Sequence, residues 1–193
     1  MLRTALRFIA GAAAGIAIWW YATPAYNEWL AAAARVELRW DKRITGAAIE
    51  PRDRTLVVRP GTAAPGIEIP ADQLTYNIVL FAGLIAAIPP RRIWRGLAGL
   101  IVLLAFHAIA AAITIESTYA TRAGAWSEAH YIPIAQNFWS SLDFMYRLGG
   151  MFAVAFVCWY AATWSPAREP QRGTSRKSAP AQPSRPRSAK SGR

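Results

Sequence analysis

Hydrophobic and polar positions follow two different patterns along this chain. Four runs carry no charged residue at all, at 8–23, 74–90, 96–115 and 148–164. A membrane-crossing helix needs roughly 20 mostly apolar residues, with about 17 at the lower end. The runs therefore predict an α-helical integral membrane protein with four transmembrane helices. Between the first two, the pattern changes. Val36, Leu38 and Trp40 alternate with Arg35, Glu37, Arg39 and Asp41, a period of two that predicts a half-buried strand. Residues 55–59, bounded by Pro51-Arg52-Asp53-Arg54 and Pro60-Gly61, predict a second strand, and Ile67 and Ile69 about Glu68 a third. A small extracytoplasmic β-rich insertion follows, too small to build a large core alone, so it should lean on the membrane helices or on a partner.

Two flanks read as helix. Residues 26–35 prolong the first span past Pro24. Phe138, Trp139, Leu142 and Met145 share one face and leave Ser140, Ser141, Asp143 and Arg147 on the other. That spacing predicts a short amphipathic helix lying in the outer interface and feeding the last span. The expected organisation is a first span within 1–25, a strand-rich segment at 26–73 and two spans with a basic turn at 74–115. An outer loop with its interfacial helix at 116–147, a last span at 148–164 and a tail at 165–193 complete it. The tail has serine, proline and basic residues but no aromatic ring, so it is expected to be disordered.

The first span competes with a signal peptide, since Arg3 and Arg7 precede it; Trp19-Trp20-Tyr21 stands where small residues would be needed, which favours a retained helix. Gly11 and Gly15 have the GxxxG spacing of close helix packing, although in so Ala-rich a segment the match carries little information.

Charge adds direction. The chain holds 22 Lys+Arg against 11 Asp+Glu, a formal net charge of +11. With the N-terminus inside, 13 basic residues and one acid face the cytoplasm, and nine basic residues and ten acids face outward. The excess therefore records orientation, both termini cytoplasmic, in a bacterial inner membrane. Trp19, Trp20 and Trp139 at the outer edge, with Trp94 and Trp164 at the inner one, agree with these borders. The same distribution argues against specific nucleic-acid binding, because no folded basic face carries the charge. Anionic lipids remain a possible contact of the tail.

Chemistry is sparse. His107 is the single ionisable residue inside a run, and an intramembrane ionisable group is a functional candidate by default. A neutral imidazole hydrogen-bonded to another helix explains it as well. Asn77, in the first turn of the second span, reads as an interhelix hydrogen-bond donor. Cys158, the one cysteine, has no activating neighbour in sequence. Glu116, Glu128, His130 and Asp143 are the outer residues that could be imagined around a metal, but their spacing matches no ligand pattern; no cofactor is expected.

The retained first helix, the strand-rich outer segment, the Leu74-Thr75-Tyr76-Asn77 start of the second span and the aromatic run from Asn137-Phe138-Trp139 to Tyr146-Arg147 together resemble the exosortase H-associated membrane proteins. That resemblance spans most of 1–164. It implies a bacterial inner-membrane accessory of exosortase H, the membrane enzyme thought to process proteins bearing a C-terminal sorting signal. It brings no catalytic residue, because Cys158 sits inside the last span, followed by Trp159-Tyr160, and not on the outer side with Arg and His.

The functional expectation is a non-enzymatic accessory that binds another membrane protein, an exosortase or its substrates. The anchors would be Val36, Leu38, Trp40, Trp126, Phe138, Trp139 and Tyr146, since aromatic residues dominate interface energetics. The alternative is a small transporter subunit or intramembrane enzyme using His107.

Overall fold

In a computed structural model, the residues described are 1–39, 41–44, 46–61 and 63–164. Trp40 and the tail, with the expectations attached to them, lie outside the described residues. Helix α1 spans Leu2–Leu38, followed by strands β1 (Ala48–Arg52), β2 (Thr55–Arg59) and β3 (Ile67–Pro70). Then come α2 (Asp72–Thr75), α3 (Asn77–Ala87), α4 (Ile93–Arg122), α5 (Ala125–His130), α6 (Pro133–Met145), a π-helical turn at Tyr146–Gly150, and α7 (Met151–Thr163).

Three helices are long and apolar enough to cross a membrane: Leu2–Leu38, Ile93–Arg122 and the continuous Pro133–Thr163; Asp72–Ala87 is a shorter apolar helix. At about 1.5 Å per residue these three measure roughly 55, 45 and 46 Å. A bilayer core is about 30 Å thick. Each is therefore longer than one crossing needs, and the C-terminal parts of α1 and α4 lie with α6 and the sheet at one end. They carry the sheet between them and form a head.

The strand expected at Val36–Trp40 is not there: α1 runs on through Pro24 to Leu38. Leu30, Ala31, Ala34 and Leu38 are all buried, a helical and not an alternating spacing, while Val36 is exposed. Four successive alanines with high helix propensity outweigh a five-residue alternation of charges. The other two expected strands are β2 and β3, and the third strand of the sheet is β1 at Ala48–Arg52, part of which, Pro51-Arg52, reads in the sequence as a strand boundary. All three pair antiparallel in the order β1-β2-β3, with Ile49 opposite Val58 and Leu56 opposite Ile69. Ile49, Leu56, Val58 and Ile69 cover one face and are buried against α1 and α4. Glu50–Arg59 and Arg52–Glu68 ion pairs lie across the other. Asp53 adopts φ +53° in the β1–β2 turn. Its carbonyl accepts from Asn27 Nδ2 at 2.8 Å, and Arg54 stacks 3.4 Å above the Trp20 ring, so the hairpin tip is seated on α1.

Two further boundaries differ from expectation. Helix α4 continues past Ile115 to Arg122, because Ile115, Tyr119 and Ala120 remain on the buried face. The amphipathic stretch at 138–145 is not a separate helix. It passes into α7 through the π-helical turn with no loop between, since Gly149-Gly150 stay helical and no proline intervenes.

The GxxxG spacing is used. A Cβ at Gly15 would come 2.9 Å from Ala82 Cβ, one at Gly11 would fall on the Ala86 methyl and the Ala82 carbonyl, and one at Gly83 would meet Phe8. Helices α1 and α3 thus approach backbone to backbone, the contact that small residues permit. The largest core lies in the head. A smaller cluster of Phe81, Leu103, Ala155 and Cys158 joins α3, α4 and α7.

Candidate functional site

Two polar networks are built into this frame, one among the apolar parts of the helices and one in the head. The inner network begins at His107 of α4, which is fully buried. Its Nε2 lies 2.6 Å from Asn77 Oδ1 of α3, and its Nδ1 lies 2.7 Å from the Tyr26 hydroxyl of α1. Asn77 Nδ2 donates to the Met151 carbonyl of α7 at 2.9 Å. An amide oxygen only accepts, so Nε2 carries the hydrogen; with no carboxylate against it the ring is neutral, and the Tyr26 O–H donates to Nδ1. One chain of donors therefore runs Tyr26, His107, Asn77, Met151 and ties four helices together. Asn77 performs the interhelix role expected of it. Both His107 nitrogens are engaged with neutral partners, and Cys158 packs in the apolar cluster away from them.

The head network centres on Glu116, which immediately follows the apolar stretch of α4 and is 5% exposed. The Tyr131 hydroxyl donates to Glu116 Oε2 at 2.7 Å, and Arg43 Nη2 stands 3.9 Å from the same oxygen. Arg43 donates from its backbone N–H and from Nε to Asp41, at 2.8 and 2.9 Å, and its guanidinium lies 4.1 Å over the Tyr131 ring. The Asp41 and Glu116 carboxyls thus both lie against the Arg43 guanidinium.

Burial acts to raise the Asp41 carboxyl, but the bonds from Glu116 and Arg43 outweigh it and hold it below the ordinary carboxylate value. Burial first, then the adjacent Glu116, pushes the Tyr131 phenol above its usual value.

Unlike the inner network, this one opens onto a cleft of about 400 Å³ whose walls include Glu37, Leu38, Asp41, Ile113, Glu116 and Trp139. Arg43 lines it too, so three carboxyls, Glu37, Asp41 and Glu116, share the polar side with one guanidinium, while Ile109, Ala112 and Ile113 make an apolar side.

A second head cleft, about 560 Å³, lies between β3, α4 and α6. There Asp143 pairs with Arg147 at 3.0 Å and accepts from Thr114 at 2.6 Å, while Arg147 reaches Gln73. This i, i+4 pair is a half-buried clamp between α2, α4 and α6.

The expected anchors separate. Val36 and Phe138 are exposed, and Trp139 is half-buried along the acidic cleft. Leu38 belongs to the core although its edge reaches the same cleft. Trp126 packs against Tyr119 and stacks on His130, with ring centroids 4.3 Å apart, and Tyr146 donates to the Leu74 carbonyl. These last two hold the head together. Glu116, Glu128, His130 and Asp143 do not converge, and among the described residues no group of three or more His, Cys, Asp or Glu is placed to hold a metal ion.

Sequence reasoning named Glu116 without its real partners and passed over Asp41, Arg43, Tyr131 and Tyr26. Nothing local ties them together, since they lie 15 to 81 residues from their partners or in a stretch read as strand. No family model, curated protein or solved structure matches this chain.

Proposed function

We propose that the protein is a non-catalytic membrane protein whose head docks another membrane protein. In this reading α2 and α3 supply a fourth crossing. At 16 residues, Asp72–Ala87 is short for the task, but the backbone-close packing of α3 on α1 and the bonds from Asn77 to α4 and α7 support its place among the other spans. Four crossings leave both chain ends on one side. The basic residues, concentrated at those ends and at Arg91, Arg92 and Arg95, assign that side to the cytoplasm of a bacterial inner membrane.

One observation carries the docking. Ile132, Ile134 and Phe138 are 65%, 74% and 56% exposed on the stretch of α6 that projects past a bilayer's thickness. With a bilayer core about 30 Å thick set over Phe152 and Phe156 further along the rod, these three fall beyond it. Exposed large apolar groups rimmed by polar ones mark interaction surfaces. The acidic cleft adds complementarity, favouring a partner segment with apolar side chains beside a lysine or arginine. An exosortase or one of its substrates, the partner implied by the resemblance, is the specific form of this proposal.

A photoreactive residue at position 138, in cells that also express the sorting enzyme, should give one discrete protein adduct, and the same residue at 156 should give lipid adducts alone. Ile134→Glu or Glu37→Lys should abolish the adduct at 138 while leaving the protein level unchanged. Identical products from both positions, or an adduct indifferent to both substitutions, would overturn the docking surface.

A further inference from the structure

Helices α4 and α7 touch at Gly99, where a Cβ would stand 3.1 Å from the Cys158 carbonyl and 3.4 Å from Ala162 Cβ. Beside that contact an open groove of about 610 Å³ runs along both helices, with Val102 and Val157 among its walls. Its lining is apolar except at one end, where Arg95 sits between Trp94 and Trp164.

Arg95 Nη1 donates to the Trp164 carbonyl at 2.8 Å, which fixes the guanidinium at the mouth of the groove. A guanidinium has five N–H donors, and this bond uses one. Arg91 and Arg92 are exposed one turn away. No acidic residue occurs anywhere between Asp72 and Glu116, so nothing on this stretch neutralises the three arginines.

We infer that this groove is a binding site for an anionic phospholipid, with an acyl chain lying along α4 and α7 and the phosphate held by Arg95. The inference rests on α4 and α7 lying in a bilayer, as proposed above, and is independent of what the head binds. Charge complementarity selects the occupant. A partner helix would fill the apolar wall but would leave Arg95 without a counter-charge. A phospholipid matches both ends at once, and basic pockets between spans are known receptors for anionic headgroups. Tryptophan on either side of the arginine suits the headgroup level, where amphipathic rings prefer to sit.

The test uses the full chain, purified in a neutral detergent and titrated with phosphatidylglycerol, phosphatidylcholine or inorganic phosphate. Native mass spectrometry counts bound lipid, and thermal unfolding measures its effect. Phosphatidylglycerol should bind as a single retained molecule and raise the melting temperature; the other two should not. Arg95→Gln should weaken retention about fivefold, the share of one basic group near an anionic surface, whereas Arg95→Lys should keep most of it. Val157→Trp, which fills the groove from an exposed position, should displace the lipid while leaving the lipid-free melting temperature unchanged. Equal retention of both lipids, or retention indifferent to Arg95→Gln and Val157→Trp, would overturn the site. A Val157→Trp variant that loses self-association and not lipid would assign the groove to a second copy of the chain and overturn it too.

Discussion

The two buried polar networks follow opposite rules, and the difference is set by solvent. Among the apolar helices, Tyr26, His107 and Asn77 are joined donor to acceptor without a formal charge, and their chain closes on a backbone carbonyl. In the head, Asp41, Arg43 and Glu116 are ionisable, two acids to one base, and line an open cleft of about 400 Å³. Lipid offers no substitute partner to a polar group, so a network there must be neutral and complete. Where water reaches, charge can be kept and imbalance tolerated. The first arrangement suits a staple between helices, and the second a surface that has something left to bind.

The strongest way to break that contrast is His107→Leu. It removes two hydrogen bonds and strands the Tyr26 hydroxyl and the Asn77 carbonyl oxygen where water cannot replace the ring. At about 1–3 kcal/mol per orphaned group, discounted for partners found in the membrane-unfolded state, the expected loss is about 3 kcal/mol. Denaturation in mixed micelles would measure it. A loss under about 1 kcal/mol would show that the network is not a closed staple. Replacing Asn77 by Leu as well should cost less than the sum of the two single changes, because the second removes a group the first has already orphaned.

Arg43→Gln probes the head and should cost less, about 1 kcal/mol. The side chain of Arg43 is 35% exposed, so water can solvate what the substitution uncovers. It leaves Asp41 and Glu116 facing each other with reduced compensation, which adds negative charge to the cleft. Partner binding should therefore become more salt-sensitive than in the wild-type protein, read from co-purification across a salt series. An unchanged salt dependence would separate the cleft from docking.

How far sequence foretold these networks follows from the same division. The charge-free runs, the prolongation of α1 past Pro24, the two later strands and Asn77 as an interhelix donor were all legible, because length without charge and local periodicity are chain-local signals. His107 was legible as a buried polar residue, but its partners Tyr26 and Asn77 lie 81 and 30 residues away. The strand expected at Val36–Trp40 failed for a physical reason. A five-residue alternation fits a helix whenever the residue facing the core is also on a helical stripe, as Leu38 is with Ala34, Ala31 and Leu30. That error hid the head network, since it placed Asp41 at the end of a strand and Arg43 beyond it, and not just past the end of α1, beside Glu116 and Tyr131. Trp126 and Tyr146 show the complementary limit: aromatic residues in an outer loop read alike whether they face a partner or hold the loop together.

The smallest expected effect comes from acid and sharpens the comparison most. Burial alone would raise the Asp41 carboxyl, but the bonds it accepts from Glu116 and Arg43 leave it below the ordinary value. A carboxyl whose value is lower folded than unfolded contributes stability above its unfolded value, near 3.9 for aspartate. That contribution is lost as pH falls through the lowered value. Stability of the wild-type protein should thus keep the full, unchanging share from Asp41 between pH 7 and about 5 and decline below about 4, a decline that Asp41→Asn should flatten. The group is only partly buried, so solvent screening limits the effect to a few tenths of a kcal/mol. Thermal unfolding of wild type, Asp41→Asn and His107→Leu over pH 3 to 7 would resolve it by difference. His107→Leu should leave the acid limb in place, because the inner network holds no carboxylate, and an acid limb that disappears with His107 instead of Asp41 would mean that the two networks titrate as one.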